Sequence, residues 1–291
     1  MCELMGLTFA RPLTASVSIR TFSGRGEENA DGWGLAWYPD RAAAIVKEPV
    51  KWGESPFARF LEEYPPLRSA IYIAHVRHKT IGGIPCYADT HPFSRERIGR
   101  EYCFAHNGTL EDPIWSYSTG HYTPLGATDS ERTFCHLLAE LDHRGGHLEQ
   151  FEDWEWLHSK LSNLNRLGKL NVLLSDGVRL FAYHDQGAWK GLTIHRLTLD
   201  FPNEPQRLRD ENISLELETQ SSDYGYVIAT YPLGEGIWTP FQTGELMVFE
   251  TGRLRYSSHR DIETMNSPAW NPAPSNTANN HRSAIRSGTA N

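Results

Sequence analysis

The stretch Ala70-Ile71-Tyr72-Ile73-Ala74-His75-Val76 decides the fold class. It is a short apolar run with β-branched and aromatic side chains, which reads as a strand. Comparable runs occur at 4–9, 32–38, 42–47, 101–106, 170–175, 179–183, 192–197, 226–230, 245–250 and 253–256. Gly, Pro, Asn and Asp separate them. Helical spacing appears only at 56–64, 129–141 and 151–164. In the second of these, Phe134, Leu137, Leu138 and Leu141 share one face, and Asp129 or Ser130 is the expected N-cap. In the third, Trp154, Leu157 and Leu161 do the same. The strands cluster instead of alternating with helices, which predicts an α+β fold with antiparallel sheets.

At 291 residues the chain can bury a sizeable core without metals or disulfides. Residues 266–291 contain no acid and are rich in Asn, Ser, Ala and Pro. They cannot bury enough apolar surface to order themselves, so a disordered tail is expected there, after one domain over 1–265. The net charge of −8, less the +2 of that tail, leaves −10 on the rest. Such a balance argues against a nucleic-acid backbone as partner. There is no apolar run of 18 residues, so no membrane-spanning helix is expected. Four cysteines and no signal-like N-terminus point to the reducing cytoplasm.

Several residues carry chemistry alongside a plainer reading. His75, His78, Cys86, His91, Cys103 and His106 invite a zinc site, yet Cys103 and His106 should face opposite ways on a strand and no C-x-x-C occurs. No metal is expected. Asn107-Gly108 is a common hairpin turn, but its side-chain amide and an unobstructed backbone N–H could also converge on one oxygen. Arg77, just after the 70–76 strand, is either a surface charge or a loop-borne functional group. Asp129 is on the plainer reading only a helix cap. Cys2 is either a small buried residue or, once Met1 is removed, a thiol beside its own α-amine. That amine has an ordinary pKa of about 7.7–8.0, suited to taking a proton near neutrality.

Taken together and in order, six pieces resemble the class II glutamine amidotransferases, specifically the stand-alone YafJ-like branch. They are Cys2-Glu3-Leu4-Met5-Gly6, Asp31-Gly32-Trp33-Gly34, His75-Val76-Arg77 with Thr80, Thr90-His91-Pro92-Phe93, Ala105-His106-Asn107-Gly108 and Thr128-Asp129-Ser130-Glu131. The resemblance implies a four-layer αββα sandwich of the N-terminal-nucleophile hydrolase type, with two antiparallel sheets between helical layers. It implies Cys2 as nucleophile, with Asn107 and Gly108 stabilising the oxyanion. Arg77 would hold the substrate α-carboxylate and Asp129 the α-ammonium, with Thr80 and His91 supporting the substrate loop. His78 and Ile81 depart from the synthase-linked branch, which commonly carries Trp and His there. The implied activity is hydrolysis of the γ-amide of glutamine, or of a γ-glutamyl compound, through a thioester on Cys2 and without a cofactor. A γ-glutamyl peptide or thiol hydrolase is the alternative within the enzymes. A non-catalytic amino-acid-binding or regulatory module is the alternative outside them. The partner is a small-molecule substrate, with room for a separate ammonia-accepting synthase.

Overall fold

Two antiparallel sheets stack face to face, and their shared seam decides where the site lies. The computed structural model describes residues 2–18, 32–62, 67–77, 85–197, 206–209, 214–217, 224–234 and 236–266. The larger sheet has the order β13-β9-β12-β1-β4-β2-β3, with β11 and β10 continuing from β1. These strands are β1 (Glu3–Ser18), β2 (Gly32–Trp37), β3 (Ala44–Glu48), β4 (Arg68–Arg77), β9 (Thr193–Leu197), β10 (Gln206–Arg209), β11 (Ser214–Leu217), β12 (Gly225–Ala229) and β13 (Trp238–Pro240). The smaller sheet runs β15-β14-β8-β7-β6-β5. Its strands are β5 (Phe93–Arg97), β6 (Arg100–Leu110), β7 (Gly168–Ser175), β8 (Arg179–Tyr183), β14 (Leu246–Glu250) and β15 (Arg253–Ser257). Every strand pairing described is antiparallel.

The strands are apolar on both faces because both faces are covered. In β1 and β4, Met5, Leu7, Tyr72, Ala74 and Val76 face outward, where the short helix α1 (Pro56–Glu62) inserts Ala58 and Leu61. The alternate residues Leu4, Ile71 and Ile73 face inward and meet Ala105, Leu173, Leu180 and Ala182 of the smaller sheet. The other face of that sheet lies under α2 (Asp129–Arg144) and α3 (Phe151–Asn165). Phe134, Leu138, Trp154 and Leu161 pack there on Phe104, Val172 and Leu174. This is the expected α+β sandwich with two antiparallel sheets.

Two local expectations need correction. Asn107-Gly108 is not a turn: it lies inside β6, where Asn107 pairs with Asn171 and Gly108 with Leu170 of β7. The turn of this region is Ile98-Gly99 between β5 and β6, with φ of 48° and 73°. The N-cap of α2 is Thr128, whose hydroxyl accepts from Glu131 N at 3.2 Å, not Asp129 or Ser130. The 267–291 part of the expected tail lies outside the described residues. Asn266 closes α4 (Ile262–Asn266) and donates to Leu254 O at 2.8 Å.

Candidate active site

The site grows from the alternation of β1 and β4. Leu4 pairs with His75 and Glu3 with Val76. Cys2 therefore precedes β1 at the level of Arg77, which pairs with Gly32 of β2. By the period of two, Cys2, His75 and Arg77 share the inward side with Leu4 and Ile73. On the facing sheet Asn107 has the parity of Ala105, so it too points into the seam. The apolar filling gives out at this end, and polar groups replace it.

The two sheets meet directly through polar atoms. Asn107 Nδ2 donates to Cys2 O at 2.8 Å. That bond fixes which end of the amide is nitrogen, because Cys2 O can only accept. Asn107 Oδ1 is buried without a partner, and the second amide N–H is left for another acceptor. Half-buried Arg77 likewise holds a buried Nη1 with no hydrogen-bond partner. A buried donor of this kind costs free energy until an acceptor arrives.

Gly108 is required by close approach. A Cβ built on it would lie 1.9 Å from Lys169 O and 2.5 Å from His106 Nε2. His106 is pushed below the ordinary histidine range by burial, against the opposing field of Asp129. As a neutral ring it donates from Nε2 to Lys169 O at 3.0 Å and accepts at Nδ1 from Ser130 Oγ at 2.9 Å. Asp129 Oδ2 accepts from Leu110 N at 2.7 Å, so the carboxylate is tied to the end of β6. Glu131 completes the segment: it pairs with Arg95 at 2.5 Å and accepts from Leu125 N and Gly126 N at 3.0 and 2.7 Å. Thus Asp129, Ser130 and Glu131 tie the start of α2 to Leu110, to His106 and to Arg95 with the 125–126 segment, while Thr128 caps the helix.

His91 is buried, with both ring nitrogens unpartnered. Its ring lies 4.2 Å from that of His75 and 4.6 Å from Phe93. Burial, then His75, His106, Arg77 and Lys47, holds it well below the usual imidazole range. The His91 carbonyl sits only 2.0 Å from where a Cβ on Gly34 would be, so Gly34 lets this segment enter the seam. Lys47 Nζ donates to Thr90 O at 2.7 Å and Pro92 O at 3.2 Å from the outer strand β3. Burial lowers its pKa to about 8.

The structure therefore brings Cys2, Asn107, Gly108 and Arg77 to one end of the seam, with His91 and Asp129 around them. Thr80, His78, Ile81 and Asp31 lie outside the described residues. Among the described residues no group of three or more His, Cys, Asp or Glu could hold a metal ion. Cys103 and His106 do face opposite ways, one into the seam and the other toward α2.

Sequence reasoning missed Lys190 and Trp189. Lys190 Nζ lies 3.3 Å from Cys2 O, to which it donates. Burial lowers the pKa of this lysine, partly offset by Cys2 and Glu3. Its loop is held by a buried polar network. Asp185 Oδ1 accepts from Gly187 N and Trp189 N, and its Oδ2 from Leu170 N and Asn165 Nδ2. Asn171 donates to Trp189 O, and His184 lies 3.0 Å from Lys190 O. Ala188 and Lys190 sit at φ of 56° and 53°, a left-handed conformation that non-glycine residues adopt at a cost. No pattern in the sequence places residue 190 beside residue 2.

The same fold of stacked antiparallel sheets is found in the glutamine phosphoribosylpyrophosphate amidotransferase of B. subtilis, with a TM-score of 0.57 at 15% identity, covering 89% of this chain and 50% of that one. The family model for class II glutamine amidotransferases matches residues 1–273. The chain is 38% identical over 267 residues to an uncharacterized protein of Methanocaldococcus jannaschii, covering 90% of this chain and 74% of that one. It is 32% identical over 262 residues to YafJ, a candidate glutamine amidotransferase of Escherichia coli, covering 87% and 98%. A crystal structure of a predicted glutamine amidotransferase from Pseudomonas aeruginosa superposes with a TM-score of 0.71 at 29% identity, covering 87% and 99%. The chain belongs to the class II glutamine amidotransferases, in the stand-alone branch with YafJ.

Proposed function

We propose that the protein hydrolyses the γ-amide bond of glutamine or of a γ-glutamyl compound, with Cys2 as the nucleophile once Met1 has been removed. One observation carries the reading. The Asn107 amide is bonded to the backbone of Cys2 with an N–H to spare, beside a buried Arg77 donor that lacks an acceptor. A γ-glutamyl substrate supplies both missing acceptors: its α-carboxylate for Arg77, and the oxyanion formed at its γ-carbonyl carbon for Asn107.

In this mechanism the Cys2 α-amine takes the thiol proton and Sγ attacks the γ-carbonyl carbon. The C–S bond forms as the carbonyl π pair moves onto oxygen. Asn107 Nδ2–H and Gly108 N–H stabilise that oxygen. Collapse breaks the C–N bond, and the α-ammonium returns its proton to the departing ammonia or amine. Water, deprotonated by the same amine, then attacks the thioester carbonyl and frees glutamate and the thiol. Asp129, held at the end of β6, faces the substrate α-ammonium in this reading.

The test is the N-terminus. Intact mass of active protein should lack Met1. A variant with residues retained ahead of Cys2 should fold yet lose activity by about 10²–10⁴, because an amide nitrogen cannot accept the proton. Full activity with Met1 retained refutes the amine mechanism, and full activity in Cys2→Ala refutes the reading altogether.

A further inference from the structure

Strand order gives the site a direction. Within β9-β12-β1-β4, Arg77 belongs to β4 on one side of β1. The Trp189–Lys190 loop leads into β9, on the other side. A γ-glutamyl group anchored at Arg77 with its γ-carbonyl carbon at Cys2 must send its leaving group away from β4, toward this loop. There two ammonium groups approach the Trp189 ring, Lys190 Nζ at 4.8 Å and Lys169 Nζ at 5.4 Å from its centroid. Among the described residues, neither lysine forms an ion pair with a carboxylate. Two cations are thus held at an aromatic plane beside Cys2 O, and the buried Asp185–Asn171 network rigidly supports the loop that carries one of them.

We propose that this side is a leaving-group subsite for an acidic amine, so that the substrates are γ-glutamyl amino acids or peptides with a carboxylate in the leaving portion. The inference rests on the reading of Cys2 and Arg77 above. Trp189 offers the leaving portion an apolar plane, and Lys190 and Lys169 receive its carboxylate. Ammonia, the leaving group of free glutamine, uses neither. The chemistry is the acyl transfer already written, with the amine of an amino acid departing in place of ammonia.

The experiment compares kcat/KM for γ-glutamyl-alanine and γ-glutamyl-alaninamide, which differ only in the leaving-group charge. The acid should be preferred by about tenfold or more, the scale of one charge-assisted hydrogen bond. Lys169→Met and Lys190→Met should each bring this ratio toward one, and Lys169→Glu should take it below one. Because Lys190 touches Cys2, its variant will also change absolute rates, and the ratio cancels that effect. If Lys190→Met fails to fold, exposed Lys169 carries the test. A ratio near one in the wild type overturns this inference alone, provided that Cys2 is labelled by a diazoketone analogue of glutamine and the alaninamide is hydrolysed. A preference that both methionine variants leave unchanged also overturns it. Absence of labelling and of all γ-glutamyl hydrolysis overturns both this inference and the reading beneath it.

Discussion

Replacing Asn107 with alanine separates chemistry from folding, because the two effects differ in size. Truncation removes the 2.8 Å bond to Cys2 O, which is worth about 1 kcal/mol. It also removes the buried, unpartnered Oδ1, whose desolvation burdens the native state by a similar amount. A small void adds back a destabilisation of about 1 kcal/mol. The net loss is therefore about 1 kcal/mol, or roughly 2–4 °C in Tm for a domain of this size. The transition state loses more. An oxyanion donor in a dry site is worth about 3–4 kcal/mol, so kcat should fall by about 10²–10³ with a smaller change in KM. Asn107→Asp keeps the shape but aims a carboxylate at Cys2 O and at the oxyanion, and should be at least as slow. Steady-state kinetics and thermal melts on the same preparations measure both effects. A kcat within about threefold of wild type, or a change confined to KM, would refute the oxyanion assignment and leave Asn107 as a clamp on the N-terminal segment.

Other outcomes follow from the same geometry. Arg77→Lys should lower kcat/KM by about tenfold or more despite its retained charge, since an ammonium cannot reproduce a planar two-pronged donor; unchanged kcat/KM for every γ-glutamyl substrate refutes the clamp. Gly108→Ala should lower Tm sharply and abolish activity, because its Cβ would meet Lys169 O at 1.9 Å and force β6 from β7; a wild-type melt would show that the ladder yields there. Lys47 gives a pH signature. Its folded pKa of about 8 lies below the ordinary 10.5, so the unfolded chain binds more protons between those values and stability rises with pH through that window. After discounting for partial exposure, the stability of wild type relative to Lys47→Met should climb by about 1–2 kcal/mol between pH 7.5 and 10; denaturant curves that stay parallel across that range refute it.

Much of the architecture was legible because period-two burial leaves a mark on composition. The runs around Leu4, Ile73, Leu173 and Val248 are apolar on both sides, and strands buried on two faces must be. β5 escaped notice because Ser94, Arg95 and Glu96 are polar, their partners lying in α2 and at the surface. Asn107-Gly108 resembled a turn because local preference favours one there. Pairing along the whole of β6 and β7 overrode it, while Ile98-Gly99, with an unpromising isoleucine, made the actual turn.

The site divides along the same line. Cys2, Arg77, Asn107, Gly108 and Asp129 could be named from the ordered motifs, since each motif is local and each residue type is chemically distinctive. Their convergence is a matter of register: Glu3 opposite Val76 sets Cys2 level with Arg77, and sheet stacking sets Asn107 against Cys2. Lys190 and Trp189 were beyond the sequence altogether. A lysine on a loop carries no periodic signal, and only the path of the chain from β8 to β9, fixed by buried Asp185 and Asn171, delivers it across 188 positions to Cys2 O. Residue types and their local spacing are written in the sequence, but which side of Cys2 is cationic follows from strand order, a long-range property that no local pattern encodes.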